Sequence, residues 1–203
     1  MIYTDADISS MEKRYRTNFI NTISGPRTVF LVSTLHESGK SNVAIFNSII
    51  HLGADPPLLG LISRPDSVER HTLENIRRAG EFTLSSVSAS WLKQAHQTSA
   101  RYPREVSEYS AAGLKESWKK GIPVPFVEGA PLHIFLKSKS IIDIPLNGTY
   151  MIVGQIQLVD ISDTYADLEG RLKGFGDSAV LSHGLDTYGI FHEKVQLPYA
   201  KIK

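Results

Sequence analysis

Cysteine is absent from this chain of 203 residues. Its absence removes disulfides, thiolate metal sites, iron–sulfur clusters and cysteine nucleophiles together. An excess of charge of either sign is also missing: 22 Lys and Arg stand against 21 Asp and Glu, a formal net charge of +1. No overall field draws the chain to nucleic acid or to an anionic membrane, so neither is expected as a partner, and an anionic ligand would need a local cluster of donors. No apolar run approaches the length of a membrane span. Met1-Ile2-Tyr3-Thr4-Asp5-Ala6-Asp7 has no basic stretch followed by an apolar segment, so it does not read as a signal peptide, and a cytoplasmic location is expected.

Several enzyme signatures are missing too. Gly39-Lys40-Ser41 has the ending of a Walker loop, but the glycine required five positions before Gly39 is Thr34. No G-x-G-x-x-G follows a strand, and there is no G-x-S-x-G elbow. The histidines at 36, 51, 71, 96, 133, 183 and 192 do not pair at metal-binding spacing, so no metal is expected. His71 alone reads as a solvated loop histidine, Arg77-Arg78 as the exposed side of a helix, and Trp91 and Trp118 as core or interface anchors.

What remains is a chain with ordinary hydrophobic (41%) and charged (21%) fractions, long enough for one core without staples. Residues 1–25 read as an N-terminal docking helix. Ser9-Ser10-Met11-Glu12 forms a capping box, and Met11, Tyr15, Phe19, Ile20 and Ile23 recur at helical spacing up to Gly25-Pro26. The period then changes to that of strands, over 28–35, 41–50, 58–63 and 81–87. The first two are expected to pair as a hairpin, and Asp55-Pro56-Pro57 breaks the chain before the third. A short helix over 72–79 is capped by Thr72 and closed by Gly80. Residues 88–120 form a helical excursion, and a proline-rich crossing follows. Two long strands, 132–144 and 149–161, flank the turn Pro145-Leu146-Asn147-Gly148. From Thr164 loops and short turns are expected, with residues 191–203 as a C-terminal tail. Six strands with short links predict a mainly β fold with peripheral helices, the sheet closed into a barrel over 26–190.

Three segments carry chemistry. In the strand beginning Ser41, polar Asn42, Asn47 and Ser48 stand among apolar neighbours around small Ala44, and an amide on an apolar face costs free energy unless it is hydrogen-bonded. Asn47 therefore serves either nearby backbone or a ligand. Arg64 ends the next strand, where its planar fork suits a phosphate as well as it suits solvent. Arg70-His71-Thr72 starts a helix, where free N–H groups and the dipole favour an anion, although Thr72 also reads as a plain cap.

Taken together, these segments resemble the flavin reductase-like family, whose members bind FMN in a split β-barrel. Pro26-Arg27 leads into the first strand, Val32-Ser33-Thr34 ends it, and Asn42-Val43-Ala44-Ile45-Phe46-Asn47 follows a Gly turn. Pro56-Pro57, Arg70-His71-Thr72-Leu73-Glu74-Asn75-Ile76 and Glu81-Phe82 come next. The likeness continues through Val106-Ser107-Glu108-Tyr109, Ala112-Gly113-Leu114, Val127-Glu128-Gly129-Ala130-Pro131 and Gly154-Gln155-Ile156, and so spans roughly Pro26 to Tyr188. The chain departs from the family pattern at Ile45 (usually Pro), Asn47 (usually Ser), Arg70 (usually Lys) and His71 (usually Asp). A cysteine often found near Phe135 and Leu136 is missing.

The resemblance implies an FMN site drawn from Ser33, Thr34, Asn42, Ala44, Asn47, Ser48, Arg64, Arg70, Thr72 and Asn75, with Arg64, Arg70 and Thr72 on the phosphate. It implies hydride transfer from NAD(P)H to the flavin N5, with no side chain needed as acid or base. It also implies a homodimer with the flavin near the interface and a small-molecule electron acceptor. Two alternatives stay open: a flavoredoxin-like electron carrier, and a non-catalytic ligand-binding protein on the same barrel.

Overall fold

Two long strands form the backbone of the structure, a computed structural model that describes residues 1–162, 165, 167, 169–172, 180–190, 195, 197, 198 and 200. They are β9 (Leu132–Ile144) and β10 (Thr149–Ile161), paired antiparallel from Leu132↔Ile161 to Thr149↔Ile144 around the expected turn. The other members of the sheet are β2 (Phe30–Leu35), β3 (Ser41–Phe46), β4 (Ile49–Ala54), β5 (Pro57–Ser63) and β6 (Glu81–Ser86). The seven strands run in the order β3-β2-β6-β9-β10-β5-β4, each pair antiparallel.

Two sequence expectations change here. The run 41–50 is not one strand: it breaks at Asn47-Ser48 into β3, which pairs with β2, and β4, which pairs with β5. These two strands form opposite edges of the sheet, and no ladder joins them, so the barrel is split, as the resemblance implies, and not closed as the strand links alone suggest. The reason lies in two side chains. Asn47 and Ser48 are consecutive polar residues, and both send their side chains to distant backbone rather than keeping the alternation of a strand.

The strands alternate as a two-sided core demands. Phe30 and Val32 of β2 face the barrel interior with Leu61, Phe82, Leu84, Leu136 and Ile152. Leu31, between them, faces a second cluster with Val43, Val87, Ala95 and Tyr109. Leu31 and Val32 are both fully buried, which stabilises the fold by about 1.5–3 kcal/mol each relative to exposure.

Helix α3 (His71–Ala79) closes the interior with Leu73 and Ile76 and ends at Gly80 as expected. The excursion supplies the second cluster through α4 (Leu92–Gln97) and α5 (Glu108–Ala112), which follow a single 3₁₀ turn at Ala89–Trp91. Short strands β7 (Glu116–Ser117) and β8 (Phe126–Val127) pair across the proline-rich crossing. Trp91 packs on the second cluster, while Trp118 is 53% exposed.

The termini correct two further expectations. The N-terminal segment is two helices, α1 (Asp5–Ser10) and α2 (Lys13–Thr22), rather than one. The capping box is Thr4 with Asp7, and Ser9 lies inside the last turn of α1. Glu12 is itself the cap of α2, accepting from the amides of Arg14 (2.8 Å) and Tyr15 (2.9 Å), so it cannot reach back to Ser9. In the single chain α2 buries no residue. The second correction lies at the C-terminal end, where a hairpin replaces part of the expected loops. Strand β1 (Arg27–Thr28) pairs with β11 (Val180–His183), which pairs with β12 (Thr187–Ile190). Apart from residues 195, 197, 198 and 200, the tail at 191–203 lies outside the described residues. Among the described residues no helix is long and apolar enough to cross a membrane.

Candidate functional site

Where the chain steps from β3 to β4, the sheet parts. Ser48 pins the step to β5: its Oγ donates to the Ile62 carbonyl (2.8 Å), and the Ile62 amide donates to the Ser48 carbonyl (3.1 Å). Beside it lies a cleft of about 430 Å³, within the usual range for small-molecule sites. Its walls come from four places: Asn42, Ala44 and the 45–48 step; Ile62, Ser63 and Arg64 at the end of β5; residues 68–72 leading into α3; and residues 98–102 with Glu108 from the excursion.

Three arginines line this cleft against two glutamates, Glu69 and Glu108. Arg64, Arg70 and Arg101 converge on it from three different segments. Arg70 is fixed by donating Nε to the Pro65 carbonyl (3.0 Å), while its backbone amide donates to Glu74 (3.1 Å). Burial, and then the positive charges of Arg64 and Arg101, hold the Arg70 guanidinium below its ordinary pKa. Among the described residues neither the Arg64 nor the Arg101 side chain has a hydrogen-bonded or ion-paired partner. Residues 70–72, the start of α3, line the same space, and that end of the helix dipole is positive. Donors gathered in this way suit an anion.

Thr72 is not the cap that the sequence suggests. The N-cap is Arg70, with no side-chain capping bond, and Thr72 is buried inside the first turn, where its Oγ1 accepts from Asn42 Nδ2 (3.1 Å). The hydroxyl proton of Thr72 is therefore still available to donate. His71 opens the helix instead of standing in a loop; its side chain lines the cleft, 16% exposed, 3.5 Å from the Glu69 carboxylate.

Of the residues singled out from sequence, Asn42, Ala44, Asn47, Ser48, Arg64, Arg70 and Thr72 line the cleft. Ser33, Thr34 and Asn75 do not; they are buried in two polar pairings on opposite faces of β2. Asn75 Nδ2 donates to Thr34 Oγ1 (2.9 Å), and Ser33 Oγ shares a 2.6 Å hydrogen bond with Tyr109 OH. These pairings join β2 to α3 and to α5, and desolvation raises the Tyr109 pKa.

Sequence reasoning did not single out Arg101 or give Glu108 a role. Arg101 sits in an aperiodic loop before Tyr102-Pro103 and carries no local signal. Glu108 did carry one, an acid beside an aromatic in a short helix. It is 6% exposed, and its Oε2 accepts from the Val43 amide (3.2 Å), covering an edge donor of β3. Burial pushes its carboxyl above the ordinary range, with its own backbone amide, that of Val43 and nearby His71 opposing the shift.

The sequence profile of the flavin reductase-like domain matches residues 24–174. Among solved structures, a candidate flavin reductase with a split-barrel domain from Shewanella frigidimarina NCIMB 400 is 37% identical. It superposes with a TM-score of 0.94 over 98% of this chain and 100% of its own. Nitrilotriacetate monooxygenase component B from Bacillus cereus shares the fold at 19% identity, with a TM-score of 0.85 over 97% of this chain and 98% of its own. An FMN-binding protein from Thermus thermophilus, solved with bound 1-cyclohex-2-enone, does so at 24% identity, with a TM-score of 0.72 over 85% and 90%.

Proposed function

This chain belongs to the flavin reductase-like domain family, and on that premise we propose that it is a flavin-dependent oxidoreductase holding FMN in the cleft and reduced by NAD(P)H. The observation that carries the reading is the convergence of Arg64, Arg70, Arg101 and the start of α3 on one cleft, in a chain whose net charge is only +1. The residues fit the cofactor. Guanidiniums and the Thr72 hydroxyl suit a phosphate, amides and hydroxyls suit a polyol, and Ala44, Ile45, Phe46 and Ile62 offer apolar wall to a flat ring.

Arg64, Arg70 and Thr72 would hold the phosphate, with Arg101 adding charge from the excursion. Small Ala44 leaves the strand backbone open to close approach. Asn42 holds Thr72 so that its proton is directed outward from the Asn42 bond. When bound, the flavin supplies the redox chemistry, accepting hydride from a nicotinamide at N5. The chain's own residues bind, orient and exclude water. We further propose a homodimer. Ile20 and Ile23 at the end of α2 and Ile50 and Leu52 on β4 are exposed apolar side chains available to a second copy.

The purified protein is expected to be yellow, or to quench FMN fluorescence on titration, and to oxidise NADH or NADPH with an electron acceptor present. A colourless protein that leaves FMN fluorescence unchanged sinks the flavin reading. Binding without nicotinamide oxidation would instead indicate an electron carrier. Light scattering on the eluting protein tests the dimer.

A further inference from the structure

Among the described residues, Asn47 is the cleft-lining side chain that hydrogen-bonds to the C-terminal hairpin. Its Nδ2 donates to Ser182 Oγ (3.0 Å) and to the Gly184 carbonyl (3.0 Å). The Ser182 hydroxyl spends its proton on the same Gly184 carbonyl (3.0 Å), so Ser182 Oγ can only accept from Asn47. A carbonyl oxygen likewise only accepts. Both partners demand the nitrogen side of the amide, and this fixes which way Asn47 is flipped.

Its other atom is then left over. Asn47 Oδ1 has no hydrogen-bond partner among the described residues. It is not sealed in either, because Arg27 Nε is the only buried, unpartnered side-chain atom among them. Asn47 is half-buried and lines the cleft. The hairpin tip that sets this arrangement is itself held firmly. Arg27 donates to the Asn21 carbonyl (2.9 Å) and reaches the Gly184 carbonyl (3.5 Å), and His183 Nε2 donates to the Thr22 carbonyl (3.2 Å). Gly184 has φ +84°, and a Cβ there would meet Thr22 Cγ2 at 3.0 Å, so any other residue at the tip is strained.

We infer that Asn47 presents a carbonyl acceptor to the ligand, and that the β11–β12 hairpin belongs to the site because Ser182 and Gly184 orient that acceptor. The inference rests on the flavin reading and deepens it. The ligand class is one with an N–H or O–H donor against this wall, as the flavin imide and ribityl hydroxyls provide. Asn47 is a ligand-reading residue, and Ser182 a positioning residue that acts through it.

The test uses the full chain and FMN as probe, with affinity read by fluorescence quenching and hairpin opening by amide hydrogen exchange over residues 181–189. Asn47→Leu keeps the size and removes both functions. It is expected to weaken FMN binding about 10-fold, as loss of a hydrogen bond and its positioning would, and to speed hairpin exchange. Ser182→Ala leaves Asn47 in place and is expected to weaken FMN about 3-fold and speed exchange, while Ser182→Thr, which keeps the hydroxyl, stays within about twofold of wild type. Should Asn47→Leu fail to fold, the Ser182 pair decides.

Unchanged FMN affinity in Asn47→Leu overturns the inference. So does a Ser182→Ala protein with wild-type affinity and exchange, or a Ser182→Thr protein as weak as Ser182→Ala. A wild-type protein that does not quench FMN brings down the flavin reading itself and this inference with it, which is a different result from wild-type binding with indifferent variants.

Discussion

Residues 132–161 and 41–63 look alike in sequence. Each holds strand-like runs around a proline-bearing turn. In space they diverge. The first is a hairpin paired from end to end, with Leu132 to Leu136 all buried. The second is cut at Asn47-Ser48, and its two halves sit at opposite edges of the sheet. The difference lies in where polar side chains find partners. In the long hairpin the buried half of β9 holds one polar residue, His133, which is satisfied by the Val127 carbonyl (2.8 Å). In the broken run, Asn47 and Ser48 reach the hairpin tip and β5, and the chain leaves its ladder to let them do so. One region is built to be stable, and the other gives up continuity to make a cleft.

Substitutions should separate the two regions. The largest effect is expected at Gly154 in β10, next to a register shift in the ladder. A Cβ there would stand 2.7 Å from Phe82 Cζ and 2.9 Å from Leu136 Cδ2, in the heart of the interior. Gly154→Val should cost about 3 kcal/mol of stability, at the upper end for overpacking, read from urea denaturation, while the protein that remains folded binds FMN as before. A loss of affinity without loss of stability would break the division.

Next comes the converse. Arg70→Ala combined with Thr72→Ala should weaken FMN binding about 100-fold, since charge-assisted hydrogen bonds contribute about 1.5–3 kcal/mol each and do not add fully, with a stability loss of about 1–2 kcal/mol from the Asn42 amide left unpaired. Unchanged affinity would remove these residues from the phosphate site.

Glu108 lines the cleft and braces β3 at Val43, and its effect should depend on pH. Its folded pKa is raised by burial, so the folded state holds its proton more tightly than the unfolded state does. Stability from this group is therefore present at acid pH and lost as pH rises from the ordinary glutamate range through the folded value. Glu108→Gln, whose amide oxygen can still accept from Val43, should flatten that part of the Tm-against-pH curve and gain on wild type toward neutral pH. Parallel curves would show that the carboxyl does not titrate as its burial implies.

The smallest effect is expected at Arg77, which pairs with Asp66 (2.9 Å) and lies over the Tyr150 ring (4.4 Å) on the exposed side of α3. Arg77→Ala should change stability by less than about 1 kcal/mol and leave FMN affinity alone, because exposed pairs contribute little. A larger shift in either would extend the working region beyond the cleft.

Much of this contrast was legible in the residues. The boundaries of β9 and β10, the turn between them and the end of α3 at Gly80 follow from alternation and turn chemistry, which are local. So was the suspicion attached to Asn42, Asn47, Arg64, Arg70 and Thr72, each a polar or charged residue in an apolar or helix-start setting. The Ser9 capping box was misleading because Thr4 with Asp7 starts a helix first and Glu12 caps the next one. The C-terminal hairpin was not legible: Val180–His183 and Thr187–Ile190 are only four residues each and draw their order from β1 and Asn47, far away in sequence.

By itself, then, the sequence determined a cysteine-free, mainly β domain with nearly balanced charge, its long hairpin, and a short list of residues out of place in an apolar setting. Only the tertiary structure decided that the strand run 41–50 is two strands, that Ser33, Thr34 and Asn75 stay out of the cleft, and that Arg101 and the hairpin join it. The physical reason is range. Periodicity and caps act over a few residues, whereas a cleft exists only where segments distant along the chain meet, and the partner that satisfies a buried amide is chosen by that meeting.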